Sequence, residues 1–247
     1  MDADPQTRDA LAGAIDGFGR RWNGYELHGV EHVPREGGCL LVLYHGLIPL
    51  DGWYLIARLY REHGILVRSL ADRWLFRVPG LAEVAHLGGA IAGERAPAVR
   101  LLREGNVVLV SPGGVKEAIA GPDHMYELQW GQRLGFAQVA LDAGVPLLPV
   151  FGENVEELYR APWSASAPVR WVYRRSGIPI MPLVGLGALP FPVKVRTWIG
   201  PPVVPRTGES PASLRSRMAL ALQALIDEHQ APRPRLLRGL AARIKGE

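Results

Sequence analysis

One stretch of the sequence carries both a strand pattern and a candidate catalytic pair: Leu41-Val42-Leu43-Tyr44-His45-Gly46-Leu47-Ile48-Pro49-Leu50-Asp51. The apolar run before His45 is typical of a buried strand, Pro49 interrupts the chain, and the segment after Asp51 has helical spacing. A carboxylate beside an imidazole can fix which ring nitrogen carries the proton, so that the other nitrogen accepts a proton from a hydroxyl. Taken alone, the stretch nevertheless favours a structural histidine at a strand end and an aspartate that caps a helix.

Length and composition indicate a folded protein with a sizeable core. The chain has 247 residues, of which 48% are hydrophobic and 21% are charged, and this suits one large domain. Cys39 is the sole cysteine, which excludes an internal disulfide bond and a multi-cysteine metal site. The seven histidines lack the spacing of a metal site, so we predict no bound metal.

Charge, hydropathy and missing motifs narrow the function classes. The net charge of +4 and the isoelectric point near 9.4 favour an anionic partner, such as a phosphate, a coenzyme or lipid headgroups. We expect no nucleic acid, because the basic residues are dispersed and form no recognisable binding motif. No apolar run approaches the roughly 18 residues of a membrane-spanning helix. The sequence also lacks a G-x-S-x-G elbow and a P-loop, so neither a serine hydrolase nor a P-loop protein is expected.

Strand and helix patterns alternate along most of the chain. The predicted strands are residues 25–29, 41–44, 65–70, 106–110, 145–151 and 193–198. The predicted helices run from Asp51 to Gly64, from Pro97 to Arg103, from 133 to 143 and from Ser210 onward. This alternation predicts a single α/β domain whose one sheet has helices on both faces.

Both ends of the chain and one internal segment have amphipathic character. In residues 1–24, apolar side chains recur at helical spacing, which predicts a helix that packs on the domain or lies at a membrane surface. Residues 231–247 form a basic amphipathic tail, expected either on anionic lipid or docked on the protein. Trp163 and Trp171 occur among arginines, a mixture that suits an interface between water and lipid.

A glycine turn after the strand at 106–110 is a second candidate site. The residues Ser111-Pro112-Gly113-Gly114 let the backbone approach a ligand closely, and their amides can point at an anion or at developing oxyanion charge. An ordinary tight turn is an equally good interpretation. Arg95, which stands just before a predicted helix, offers a guanidinium that suits a phosphate.

Four blocks, taken together and in order, resemble the glycerolipid acyltransferase superfamily, which includes the PlsC-type lysophosphatidate acyltransferases. The blocks are His45 to Asp51, Gly93 to Arg95, Ser111 to Ala118 and Val145 to Pro149. They look most like the monoacylglycerol and diacylglycerol acyltransferase-like branch, to which residues 130–137 are also similar. The resemblance implies a single α/β domain at residues 25–230, with a central mixed β-sheet flanked by helices.

Two positions depart from the superfamily's usual motifs. Five residues rather than four separate His45 from Asp51, a spacing similar to that in some members of the acylglycerol-like branch. Gly113 stands where PlsC-type enzymes have the glutamate of Phe-Pro-Glu-Gly. This second departure favours an acceptor that is less charged than glycerol 3-phosphate.

The resemblance implies direct transfer of an acyl group from acyl-CoA or acyl carrier protein to a hydroxyl of a glycerolipid acceptor. His45 would be the general base, Asp51 would orient it, and no acyl-enzyme and no cofactor would be needed. Six further residues would hold an oxyanion or a phosphate: Ser111, Gly113, Gly114, Arg95, Lys116 and Arg133.

The resemblance also bears on partners and location. We expect a protein bound peripherally at the cytoplasmic side of an anionic membrane. Two alternatives of another class are a lipid-binding or lipid-transfer protein on the same fold and an acyl-CoA thioesterase that uses the same pair on water.

Overall fold

Seven strands form one sheet in the part of the chain that the computed structural model describes, which is residues 4–72, 74–77, 80–177, 182–231 and 236–245. The strands are β1 (Glu26–His28), β2 (Cys39–Leu43), β3 (Val67–Ala71), β4 (Ile91–Ala92), β5 (Val107–Val110), β6 (Leu147–Glu153) and β7 (Arg196–Ile199). Their order across the sheet is β1-β7-β6-β2-β5-β3-β4. All neighbours are parallel except β6 and β7, so the sheet is mixed and the predicted fold class is confirmed.

Helices connect the strands. They are α1 (Pro5–Asn23), α2 (Leu50–His63), α3 (Leu81–Leu87), α4 (Arg95–Arg103), α5 (Val115–Ala118), α6 (Gly135–Ala143), α7 (Ala167–Ser176), α8 (Pro211–His229) and α9 (Leu236–Lys245). Gly64 ends α2 in the left-handed conformation, with φ 68°. The Ser210 hydroxyl accepts a hydrogen bond of 3.2 Å from the Ser213 amide and caps α8. None of the described helices has the length and apolar character needed to cross a bilayer.

Strand β2 lies at the centre of the sheet and is buried along its whole length. Leu40 and Val42 face a core that includes side chains of α4, α6 and α8. Leu41 and Leu43 face the opposite core, which includes Leu55 of α2. Because successive strand residues point to opposite faces, helices cover both faces of the sheet, as the sequence predicts. A rigid, doubly covered strand therefore carries the residues that follow it.

The two amphipathic ends are docked on the domain. Helix α1 packs on α2, where Arg58 Nε donates a 2.6 Å hydrogen bond to Asp16 Oδ1 and both side chains are buried. Helix α9 packs beside β7, since the Lys194 amide donates to the Gly239 carbonyl at 3.0 Å. Of the predicted tail at 231–247, residues 232–235 and 246–247 lie outside the described residues. Helix α1 and the described helix of the tail therefore both contact the domain, and lipid binding by either helix stays a prediction.

The sequence patterns missed or misplaced three local features. Helices α3 and α7 were not predicted: α3 has only 7 residues, and the exposed tryptophan and arginines of α7 leave it without an apolar stripe. Helix α4 begins at Arg95, two residues before the predicted start at Pro97. Asp51 does not cap α2: Pro49 occupies the cap position, and Asp51 lies within the first turn.

Candidate active site

His45 lies just beyond the carboxyl end of β2, between the ends of β5 and β6. Leu41 pairs with Leu109 on one side and with Leu148 on the other, so both neighbours are parallel to β2. Immediately after His45 the chain passes very close to another segment, because a Cβ added to Gly46 would lie 2.8 Å from a Val155 methyl. The histidine thus occupies the sheet edge at which parallel strands commonly present ligand-binding residues.

The imidazole of His45 is held in one tautomer by the backbone. Its Nδ1 lies 2.7 Å from the Gly46 carbonyl oxygen. A carbonyl can only accept, so Nδ1 carries the proton and Nε2 is left as the acceptor. Burial lowers the pKa of His45, although the hydrogen bond to Gly46 opposes this change. The ring is therefore neutral near neutral pH, in the form that a general base requires.

Asp51 is fully buried and forms no hydrogen bond with His45. Both carboxylate oxygens have no hydrogen-bond partner among the described residues. Burial raises the pKa of Asp51 to about 7, opposed by the nearby amides of Gly52 and of Asp51 itself. The carboxyl packs against Gly152 of β6, where any Cβ would collide with it. The helix begins at Leu50, right after the proline, so Asp51 lies in its first turn, where its side chain is fully buried.

The glycine turn follows β5 and lies next to His45, because β5 and β2 are neighbours in register. Gly114 has φ 51° and ψ −141°, a conformation that only glycine adopts without strain. Among the described residues, the amides of Gly113 and Gly114 donate no hydrogen bond. Arg133 donates to the carbonyls of Pro112 and Gly113, to the latter at 2.7 Å. The turn is therefore fixed from its carbonyl side, and these two amides remain available to an anion.

Glu117 is a site residue that the sequence analysis missed. Its carboxylate accepts two backbone hydrogen bonds of 3.1 Å, one from the amide of His45 and one from the amide of Gln129. Burial raises the pKa of Glu117 to about 7, and the two amides oppose this rise. The carboxylate also fills the space beside Gly113 in which a side chain would stand. The sequence does contain a signal for Glu117. Gly113 stands where related motifs have glutamate, and Glu117 follows it by four residues.

Tyrosine hydroxyls and buried acids form a layer behind His45. Tyr44 donates a 2.5 Å hydrogen bond to Glu156 and accepts one of 2.8 Å from the Tyr126 amide. Tyr126 donates a 2.5 Å hydrogen bond to Glu157. Burial raises the pKa of Glu156 to about 7. Since Tyr44 directly precedes His45, this network holds the end of β2 in place.

Two predicted anion-binding residues, Arg95 and Lys116, form no hydrogen bond with His45 in the described part of the chain. Arg95, at the start of α4, donates a 2.7 Å hydrogen bond to Asp142 on α6. Asp142 precedes the start of β6 by five residues and so lies toward the amino end of the strands, whereas His45 lies at the carboxyl end. Lys116 is exposed on α5. Ser111 lies in the glycine turn and is partly exposed. No group of three or more potential metal ligands was found within the described residues.

Comparisons with known proteins agree on one family. The acyltransferase family model matches residues 24–152, just over half of the chain. A Bos taurus protein named "DGAT1/2-independent enzyme synthesizing storage lipids" is 37% identical over 240 residues, covering 97% of this chain and 70% of the relative. The Homo sapiens protein of the same name is 39% identical over 223 residues, covering 90% and 67%.

A solved structure shows the same fold. The crystal structure of the 1-acyl-sn-glycerophosphate (LPA) acyltransferase PlsC from Thermotoga maritima matches with a TM-score of 0.59 at 20% sequence identity. The match covers 92% of this chain and 84% of that chain. On its family match, its relatives and its fold, the chain belongs to the PlsC-like glycerolipid acyltransferase superfamily.

Proposed function

We propose that the protein transfers a fatty acyl group from acyl-CoA or acyl carrier protein to a hydroxyl of a glycerolipid, such as a lysophospholipid, a monoacylglycerol or a diacylglycerol. The observation that carries this proposal is the neutral His45, whose Nδ1 proton is engaged by Gly46. An acceptor hydroxyl needs a base, and Nε2 has no proton of its own. The relatives named as storage-lipid enzymes support a glycerolipid acceptor.

The proposed reaction is a single displacement at the thioester carbonyl. Nε2 of His45 takes the hydroxyl proton as the acceptor oxygen bonds to the acyl carbon. The amides of Gly113 and Gly114 donate to the oxyanion that forms. When the carbon–sulfur bond breaks, the imidazolium returns its proton to the leaving thiolate. An ester and a free thiol result, and no other cofactor takes part.

The other predicted residues take supporting roles in this proposal. Asp51 would stabilise the imidazolium, because its carboxyl ionises near pH 7, although it forms no hydrogen bond with the imidazole in this structure. Arg133 positions the turn through the two carbonyls that it binds. Ser111, Arg95 and Lys116 would contact phosphate groups of the donor or the acceptor. Arg95 would have to leave its ion pair with Asp142 before it could bind a phosphate.

A purified-protein assay with a matched histidine control tests the proposal. Labelled acyl-CoA is incubated with a panel of glycerolipid acceptors, and the products are identified by mass spectrometry. His45→Ala should lose about 10² to 10⁴-fold in rate, which is what a general base supplies. His124→Ala, an exposed histidine paired with Glu127, should keep wild-type activity.

The same assay separates the alternatives. If His45→Ala kept more than about a tenth of the wild-type rate, His45 would not be the base. If free CoA is released at a rate that no added acceptor changes, the protein is a thioesterase. Protection of the acyl donor without any release of CoA would identify a lipid-binding protein.

A further inference from the structure

Residues 158–195, which precede β7, contain basic side chains and no acidic one. The sequence has no aspartate or glutamate between Glu157 and Glu209, although the whole chain has 24 acidic residues. Helix α7 carries three exposed arginines, which are Arg170, Arg174 and Arg175. They form no ion pair with any residue that the structure describes. The three guanidinium groups of α7 therefore lack an acidic partner among the described residues.

The same segment exposes large apolar side chains. Trp163 is 57% exposed and Trp171 is 61% exposed. Trp171 lies one helical turn from Arg174 and Arg175, so its ring and their guanidinium groups share the outer face of α7, while Val169 is buried on the inner face. Indole rings beside arginines are typical of the boundary between lipid headgroups and acyl chains.

A neighbouring turn extends this apolar surface. Arg160 and Val184 exchange two backbone hydrogen bonds of 2.8 Å, which place the turn beside the residues that lead into α7. Four large side chains of the turn are exposed: Leu183, Val184, Leu186 and Leu189. We call this turn, Trp163 and the outer face of α7 the docking face.

The docking face is attached directly to the candidate active site. Ala161 packs with Leu47, which lies between His45 and Asp51, and with Ala118 of α5. Ala165 contacts Gly121, so closely that a side chain there would collide with it. A lipid held at the docking face therefore lies beside the loop that carries His45.

We propose that the docking face binds the surface of an anionic lipid bilayer, with Trp163, Trp171 and the turn entering the headgroup boundary and the three arginines binding lipid phosphates. The bilayer is the occupant that fits, because the docking face combines exposed indole and leucine side chains with three arginines that form no ion pair with the described residues. This inference concerns lipid binding and goes beyond acyl transfer. It rests on the proposed function only in one respect, namely that docking next to His45 would serve catalysis.

Vesicle co-sedimentation with charge-matched variants tests the docking face. The full chain is mixed with phosphatidylcholine vesicles that contain or lack phosphatidylglycerol. An arginine near an anionic surface contributes a factor of about 5 in binding, so replacing Arg170, Arg174 and Arg175 with glutamine should weaken binding about 100-fold. The control replaces Arg35, Arg100 and Arg206, which are exposed elsewhere, and should weaken binding far less.

A second pair of variants tests the exposed apolar side chains in the same co-sedimentation experiment. Replacing Trp163 and Trp171 with alanine should weaken binding more than about tenfold, because both rings leave the headgroup boundary. Replacing Leu237 and Ile244 with serine, the exposed apolar residues of α9, should change binding little. The inference is overturned if the α9 variant loses binding while the tryptophan variant keeps it, or if both arginine triples lose binding equally.

Binding and catalysis are separated by one more variant. His45→Ala should sediment with anionic vesicles as wild type does, because the imidazole is not part of the docking face. Loss of acyl transfer with binding retained bears on the proposed function alone. Wild-type protein that fails to bind anionic vesicles overturns the docking inference, whatever the catalytic result.

Discussion

Replacing Asp51 with asparagine should make the protein more stable at alkaline pH than wild type is. The carboxyl is fully buried, has no hydrogen-bond partner among the described residues, and has its pKa raised from an ordinary value of 3.8 to about 7. The folded protein thus binds this proton more tightly than the unfolded chain does. Its contribution to stability is complete below about pH 4 and is lost as the pH rises to about 7.

The size of the effect follows from the pKa. Each pKa unit corresponds to about 1.4 kcal/mol, and about two units separate pH 5 from the pKa of folded Asp51. Between about pH 5 and pH 8.5 wild type should therefore lose roughly 3 kcal/mol of unfolding free energy through this group. Asp51→Asn does not titrate and should not show this loss.

Urea unfolding of both proteins at the two pH values measures the effect. The cost of burying the amide is the same at both pH values, so it cancels in the double difference. Asp142→Asn is the control, because the pKa of that partly exposed aspartate is lowered by Gln138 and Arg95, and it should not gain stability at high pH. A double difference below about 1 kcal/mol for Asp51→Asn would show that the folded protein does not hold this carboxyl protonated.

Three other predictions concern the support of His45. Glu117→Gln should lower kcat roughly tenfold or more with little change in KM, because a carboxamide accepts from only one of the two amides that Glu117 binds; steady-state kinetics measure this. Gly113→Ala should displace the same carboxylate, and kinetics of the double variant should show no additional loss; fully additive effects would separate the two residues. The acid limb of kcat/KM against pH should have an apparent pKa below 6.5, because burial disfavours the imidazolium of His45, and a limb above that value would contradict the lowered pKa of His45.

The sequence predicted the parts of the fold that depend on local pattern. The uniform burial of β2 follows from its apolar run, and the ends of α2 and α6 follow from Gly64 and Gly144, which adopt the left-handed conformation. Helix α7 was not predicted, because its exposed tryptophan and arginines give it no apolar stripe, and it is held by the single buried Val169. Pattern reasoning finds elements with a buried face and misses those that are mostly exposed.

The sequence supplied candidate residues for the site, without Glu117, and did not predict their contacts. His45 and the glycine turn lie together because β2 and β5 are parallel neighbours, a pairing that the sequence patterns did not predict. The contact between Glu117 and the His45 amide depends on a one-turn helix and on the absence of a side chain at Gly113. The hydrogen bond of Nδ1 to Gly46 depends on backbone torsions after the strand, which no residue pattern encodes.

In the proposed mechanism, two groups would share the work that the motif assigns to one aspartate. Gly46 fixes the tautomer, so Asp51 is not needed to orient the neutral imidazole. A carboxyl with a pKa of about 7 is half-ionised near neutral pH, and a positive imidazolium close by would favour its charged form further. Asp51 can therefore act when His45 becomes charged, which occurs only along the reaction. On this reasoning Asp51→Asn should lower kcat and leave the KM for both substrates unchanged. Loss of a residue that orients the imidazole would, in contrast, already change the imidazole in the free enzyme.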